Sequence, residues 1–589
     1  MDTVGSGCMS CSIPGMEDAG CIFLFGYNPA DSHPIVARRI VRAKEKGCKI
    51  IVADPRHIET ARIADLYLPI KNGCNVAFLN AFANCLVNDG LYDKEFVAEH
   101  TNGFDEWWET IKNYTPESVQ DITGVEPALI HQAAEMYATA KPSAIIGWGM
   151  GVCQQKQNLK TVHTIASIAC VAGQIGKPNS GLAPVRGQNN VQGSCDMGML
   201  PNLYPGYQKV TDSAVRAKFA KAWGVPEEKL PLEEGYKLTD LGHLVDEGKV
   251  HCFYNYGEDP VQTEPDSAGM RKTLSELDLF ICQDIFMTQT TMLADVILPA
   301  TSWGEHEGVF TASDRSFQHF DAAVPPKGEC RHDWEIFADL STRMGYPMHY
   351  DNTEQIWNEC ISLCPNFVGA TYEKMAPEGG YAQWPVKSTD VNDHGTPDMF
   401  AGGKFTTKDG RANLMAHDWE APSELPDDEY PLILCTVREV GHYSCRSMTG
   451  NCKTLALLAD EPGFVRMNPA DAQARGIKNV SIHSRRGQVY SRADVSDRIN
   501  KGTVYMTYQW WIGKCNELTM HKVDPVSHTP EDKFSACQVD AIADQVWAEG
   551  EVERQYTELK QALVDAAAPQ DVEPGAAKFD DETHVNQIV

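Results

Sequence analysis

The sequence predicts an α/β fold built from two pseudo-symmetric dinucleotide-binding α/β domains and a C-terminal β-barrel domain. Three observations carry that prediction. Strand-like and helix-like patterns alternate through the first half of the chain, as in α/β folds. One unit, strand–glycine–helix–strand–acid, occurs twice. Beyond a linker at 419–428 (WEAPSELPDD) the pattern changes to short β runs.

The elements follow in order. Residues 21–27 (CIFLFGY) form a short apolar run that reaches a glycine turn. Residues 32–46 have a helical pattern, and 49–53 (KIIVA) read as the next strand. Residues 77–87 suit a buried helix, 144–147 (AIIG) a strand and 161–171 an apolar helix. Residues 373–397 are rich in Gly, Pro, Asp and Thr and read as loop. The β runs fall at 430–437, 480–483, 487–493 and 502–507. Residues 541–568 are helical in pattern, and 569–589 read as an acidic, flexible tail.

The repeat is the most informative feature. The first copy reads FLFGYNPADSHP, then a helix, then KIIVADPR; the second reads CFYNYGEDPVQTEP, then a helix, then LFICQDIF. Gly26 matches Gly257, and Asp54 matches Asp284. From Pro29 to Asp54 is 54 − 29 = 25 residues, and from Pro260 to Asp284 is 284 − 260 = 24. This is the logic of a dinucleotide-binding half. The glycine lets backbone approach a pyrophosphate, the helix N-terminus offers it free N–H groups, and the acid accepts hydrogen bonds from a ribose or a guanine. Neither copy has the full GxGxxG, so ordinary NAD binding is not favoured. Repeated α/β units also occur without a nucleotide, but the matched spacing favours nucleotide binding.

With 589 residues the chain is too long for one core. Apolar content of 42% and charged content of 22% fit a globular protein. A net charge of −30 argues against nucleic-acid and anionic membrane partners. Any capture of an anion therefore needs a local cation. No run approaches the roughly 18 apolar residues of a membrane span, and residues 1–20 lack a signal-peptide pattern. The expected location is cytoplasmic. The 19 cysteines are accordingly read as mostly reduced and buried. Cys8 and Cys11 form a CxxC, with Cys21 next; a cluster or zinc site there wants a fourth ligand nearby, so it is disfavoured.

Four segments are able to carry chemistry. Residues 184–206 (PVRGQNNVQGSCDMGMLPNLYPG) form a polar loop whose only cation is Arg186, a residue type suited to gripping a carboxylate with two prongs. The bland alternative is an arginine that bonds loop carbonyls. Residues 301–315 hold Glu305, His306 and Glu307, but adjacent residues do not face one site, so structural contacts are favoured over a metal. Residues 437–451 gather Arg438, His442 and Arg446 among Gly and Ser. Residues 506–516 hold Trp510 and Trp511, which suit either stacking on a flat heterocycle or a core.

Taken together, FGYNPADSHP, DPRHIETARIAD, RGQNNVQGSCDMG, QDIFMT, ADVILPATSWGEHEGVFT, REVGHYSCRSMTGN and MTYQWWIG resemble the catalytic subunit of formate dehydrogenases, of the formate–hydrogen-lyase type. The resemblance covers roughly residues 3–565. It implies a bis-molybdopterin guanine dinucleotide cofactor carrying Mo or W, one guanine dinucleotide for each repeat. It further implies a first guanine-dinucleotide-binding domain at 1–187 and a second at 188–300. A connecting α/β region follows at 301–425, then a cofactor-capping barrel at 426–550, then a helix and tail at 551–589.

Residue by residue, Arg186 matches the arginine that orients formate, and Gln188 a cofactor contact beside it. Gly26, Asn28, Asp31, Asp54, Arg56, Gly73, Asn75, Met150 and Gln154 match sites for one dinucleotide. Gly257, Asp259, Thr263, Gln283, Asp284, Thr301 and Asp333 match those for the other. Arg438, His442 and Ser444 match contacts that bridge the pterins.

The implied reaction is formate to CO2 or its reverse, and the resemblance leaves open whether the formate hydrogen departs as a hydride or as a proton. Electrons would leave through a [4Fe–4S] cluster to an iron–sulfur electron-transfer subunit, be it a hydrogenase, a ferredoxin or an NAD-reducing module. The resemblance also marks a departure. Family members begin with a four-cysteine cluster motif, a Lys, and a metal-binding selenocysteine or cysteine followed by His. None of these stands here; aligned on Val4-Gly5-Ser6-Gly7, the sequence starts just after that pair. The expectation is the downstream part of a longer selenoprotein, with a naturally split enzyme as the competing account. The alternative functions are another oxidoreductase with this cofactor, such as a nitrate reductase, and an inactive cofactor-binding fragment.

Overall fold

A computed structural model describes residues 1–458, 462–477 and 479–567. The acidic tail predicted at 569–589 lies outside the described residues.

The strand Cys21–Phe25 is buried at every position. It reads as continuous apolar sequence because it lies inside a parallel sheet covered on both faces. Cys21 stands opposite Lys49 of Lys49–Ala53 on one side and Ala144 of Ala144–Trp148 on the other. Leu66–Leu68 and Gly181–Pro184 complete the five strands. The helix Asn75–Asn88 packs one face, where Phe78 and Phe82 stack on Phe25 and Phe23 with ring centroids 5.6 and 5.4 Å apart. Each such buried ring contributes about 1.5–3 kcal/mol. Pro34–Glu45 covers the other face with Val36, Ile40 and Ala43.

The strand order reverses between Cys21–Phe25 and Ala144–Trp148. Doubly wound sheets bind ligands in the crevice beyond the carboxyl ends of two such strands. The residues that leave those two ends are Gly26 and Gly149.

The second repeat forms its own parallel sheet. Val296–Pro299, Leu279–Asp284 and Cys252–Tyr256 lie in the same order as the first three strands of the larger sheet. The two copies agree bond for bond. The Gly26 N–H donates to the Ala53 carbonyl at 2.9 Å, and the Gly257 N–H to the Gln283 carbonyl at 2.9 Å. Both glycines have positive φ, 54° and 62°, a conformation that suits a residue without Cβ. A helical turn follows each, Pro29–Ser32 and Pro260–Thr263, with proline first, where no N–H is required. The match runs further than the sequence reading took it. Residues 64–69 (ADLYLP) and 294–299 (ADVILP) also correspond.

The region at 301–425 contains the antiparallel pair Gly308–Thr311 and Ser316–Phe320. Its Phe317, Trp357, Phe367 and Met399 belong to the same apolar cluster as Phe23 and Phe82 of the first sheet. Within the predicted loop 373–397 the structure has a short helix, Tyr372–Met375, and a two-residue strand, Ala382–Gln383.

The C-terminal strands close into a barrel in the order Leu432–Val437, Thr503–Thr507, Phe464–Met467, Gln488–Val495, Asn479–His483, Ser535–Ala541. Leu434, Val465, Ile482, Met506 and Val539 fill it. Phe464–Met467 and Ser535–Ala541 were not among the predicted runs. The helix predicted from 541 begins at Gln545 instead, because Ala541 is taken up in pairing with Val480.

Candidate active site

A cavity of about 400 Å³ opens at the crevice of the larger sheet. Its floor is Gly26, Asn28 and Asp31 from one strand end, with Met150 and Gln154 from the other. The two ends are close: a Cβ on Gly26 would stand 3.1 Å from the Gly151 carbonyl carbon. Asp54, Arg56, Gly73 and Asn75 form one wall, and Gln188 and Thr263 another. The barrel closes the top with Arg438 and Ser444. These predicted residues are therefore brought together.

Others were missed by sequence reading. Lys71, Glu258, Glu264, Thr436, Tyr505, Tyr508, Asp532 and Lys533 also line the cavity. Arg56 lies over the Tyr505 ring and Arg438 over the Tyr508 ring, each 5.3 Å from the centroid. The half-buried Lys533 ammonium donates to the Thr436 carbonyl at 2.7 Å, and desolvation pulls its pKa down. Burial pushes Asp532 up to about 6 and Glu264 up to about 8, and it raises Asp54.

This donor set fits a dinucleotide. Arg56, Lys71, Arg438 and Lys533 supply cations for phosphate in a chain whose net charge is −30. Asp54 and Asp532 supply acceptors suited to guanine N–H groups. Besides the Tyr27 hydroxyl, two buried oxygens of the lining have no partner among the described residues: Asn28 Oδ1, whose own amide N–H donates to Asp31 at 2.6 Å, and Asp532 Oδ1, whose Oδ2 accepts Gln154 Nε2–H at 2.6 Å. Buried polar atoms are ordinarily bonded, so both await a donor.

The second predicted set does not line this cavity, apart from Thr263. Gly257, Asp259, Gln283, Asp284, Thr301 and Asp333 cluster around the smaller sheet instead. Gln283 Nε2 donates to Asp333 at 2.6 Å, and Asp284 accepts the Ile285 N–H at 2.6 Å. Burial raises Asp333 and pushes Asp284 up to about 6. Asp259 is buried and accepts the Thr290 hydroxyl at 2.6 Å. Thr301 lies 3.3 Å from His332 Nδ1.

Arg186 sits beside the cavity between its lining residues Val185 and Gly187. Its backbone is clamped: its N–H donates to Ser313 Oγ at 3.0 Å, and its carbonyl accepts His33 Nε2–H at 2.6 Å. Burial lowers the His33 pKa and so favours the neutral ring. The Arg186 Nε–H donates to Gln192 Oε1 at 2.8 Å. Its Nη1 and Nη2 make no hydrogen bond to a described residue. A guanidinium held at one edge and open at the other is able to take a carboxylate. His442 lies outside the cavity, Nδ1 against Thr449 at 2.9 Å and Nε2 buried without a partner among the described residues.

Three other groups of residues singled out in the sequence lie away from this cavity. Glu305 accepts the Ser302 and Lys327 N–H groups, His306 lies against Phe320, and Glu307 accepts the Thr353 hydroxyl. Trp510 and Trp511 lie under the Arg446 guanidinium, not along the cavity. Cys8 and Cys21 pack in one core cluster and Cys11 in another, on the two faces of the first sheet; burial pushes Cys11 up to about 12.

Comparison with known proteins agrees with this geometry. A family model described as Molybdopterin oxidoreductase matches residues 1–343, and one described as Molydopterin dinucleotide binding domain matches 432–536. The chain is 55% identical over 568 residues to formate dehydrogenase H of Escherichia coli, covering 96% of this chain and 79% of that protein. It is 41% identical over 543 residues to the F420-dependent formate dehydrogenase 1 subunit alpha of Methanococcus maripaludis, covering 91% and 79%. The solved structure of acetylene hydratase from Pelobacter acetylenicus shares the fold, with a TM-score of 0.72 at 20% identity over 92% of this chain and 80% of that one.

Proposed function

The chain belongs to the molybdopterin oxidoreductase family, among its formate dehydrogenases, and from that membership we propose that it interconverts formate and CO2 at a bis-molybdopterin guanine dinucleotide holding molybdenum or tungsten. When bound, the metal centre supplies a two-electron acceptor. Asp54, Arg56, Arg438, Asp532 and Lys533 hold the dinucleotide tail in the cavity. The cluster around Asp284, Gln283 and Asp333 receives the second tail.

Arg186 carries the reading. Its Nη1 and Nη2 grip the carboxylate of formate by paired charge-assisted hydrogen bonds. Ser313 and His33 hold the backbone from which it reaches. An anion is thereby captured locally in a strongly acidic protein.

Electrons leave to an iron–sulfur electron-transfer partner, which is a hydrogenase, a ferredoxin or an NAD-reducing module. The reaction takes place in the cytoplasm; no described helix is long and apolar enough to cross a membrane. The deciding assay is anaerobic dye turnover by the metal-loaded holoenzyme with formate or nitrate. Formate-dependent reduction of a viologen is the expected result. Nitrate-dependent oxidation of the reduced dye, without formate activity, would move the chain to another branch of the family.

A further inference from the structure

Just after Arg186 the predicted loop at 184–206 forms a short helix, Val191–Asp196, and that helix carries Gln192 and Asp196. Asp196 is fully buried. Its Oδ1 accepts Gln192 Nε2–H at 2.8 Å and its Oδ2 accepts Trp384 Nε1–H at 2.8 Å. The second Gln192 amide hydrogen is given to the Tyr207 hydroxyl at 2.8 Å. Both hydrogens of that amide are thus committed, and its oxygen is left facing Arg186 Nε–H at 2.8 Å.

The reverse amide orientation leaves the Arg186 Nε–H facing a donor instead of an acceptor. Tyr207 holds φ at +61°, a left-handed conformation that costs a bulky residue about 1–3 kcal/mol. That strained backbone carries the ring whose hydroxyl reaches Gln192.

We infer that Gln192 and Asp196 are positioning residues for Arg186: Asp196 locks the Gln192 amide, and Gln192 occupies the Nε–H edge so that only the Nη1–Nη2 edge is open to substrate. The inference rests on the reading of Arg186 as the formate clamp. A guanidinium has two forks for a carboxylate, one shared between Nε and Nη and one between the two Nη atoms. With the first closed, formate docks end-on, and its C–H bond points away from the arginine along the side-chain axis. Substrate orientation is then set by a residue that never touches substrate.

The test uses the metal-loaded holoenzyme with formate and a viologen dye. Gln192→Met keeps the volume and removes the acceptor. The formate KM is expected to rise about tenfold or more, since a hydrogen bond to a charged group is being lost, with a smaller change in kcat. The dye KM and the pterin content stay at wild type. Asp196→Asn is expected to change the formate KM in the same direction. In an Arg186→Lys background, which has no Nε–H, Gln192→Met is expected to have no further effect. A formate KM within about twofold of wild type in Gln192→Met, or an effect that adds fully to Arg186→Lys, overturns the inference. An Arg186→Ala enzyme with unchanged formate kinetics would instead overturn the clamp itself.

Discussion

Asp65 and Asp295 make the same bond in the two halves of the molecule: each carboxylate accepts the N–H of the second residue of its neighbouring strand, Ile50 at 2.9 Å and Phe280 at 2.7 Å. Each stands eleven residues beyond the acid of its repeat (65 − 54 and 295 − 284). Asp295→Ala is expected to cost about 1 kcal/mol. Hydrogen exchange should report it locally, as lost protection at the Phe280 amide with Ile50 unaffected. Asp65→Ala should disturb its half more, since Lys44 and Lys49 also pair with Asp65.

Arg186→Ala is expected to lower formate turnover by about two to three orders of magnitude, as when a preorganised charge-stabilising donor is removed. Pterin content, read by fluorescence after release, should stay at wild type. Full turnover in that variant would remove Arg186 from the reaction.

Lys533→Met takes a half-buried cation from the barrel side of the cavity. Guanine nucleotide recovered from the purified protein should fall well below one-to-one with wild type. The barrel itself should persist by circular dichroism, because among the described residues the Lys533 side chain bonds only Thr436 within it. Wild-type nucleotide content would show that phosphate is held elsewhere.

Acid should weaken the contact between the first domain and residues 414–431 through one histidine pair. His163 Nδ1 faces His417 Nε2 at 3.0 Å. Burial, with His163 and Lys160 nearby, pulls His417 down to about 4, whereas in the unfolded chain it titrates near 6.5. The unfolded state therefore binds more protons between those values, so this stability is present above about pH 6.5 and is lost as pH falls toward 4. His417→Asn should lose less stability than wild type between pH 7 and pH 4.5 in denaturant melts. Equal losses would assign the acid sensitivity to other groups.

The architecture was legible where burial imposes a pattern. Lys49–Ala53 was legible to the residue because, past the exposed Lys49, a strand covered on both faces is apolar at every position. Phe464–Met467 was not, since its four residues include Arg466, which pairs with Glu439 and Asp494. Ser535–Ala541 opens with small and polar residues and looks like loop. In the cavity, the wall formed by the first repeat was readable from one stretch of chain. Asp532 and Lys533 were not, because nothing local says that they meet Gln154, 378 residues away. Gln192 and Asp196 carry no signal beyond a four-residue spacing in a polar loop. The correspondence of ADLYLP with ADVILP was visible in the sequence and was overlooked.

The barrel roof has a consequence for biosynthesis. Gly26 and Lys533 line one chamber, so that chamber cannot exist while the ribosome is still making the middle of the chain. A cofactor tail held between both walls can complete its contacts only after Lys533 has been made. The last part of the fold to be made thus also completes the binding chamber, which ties firm retention of the cofactor to the end of synthesis.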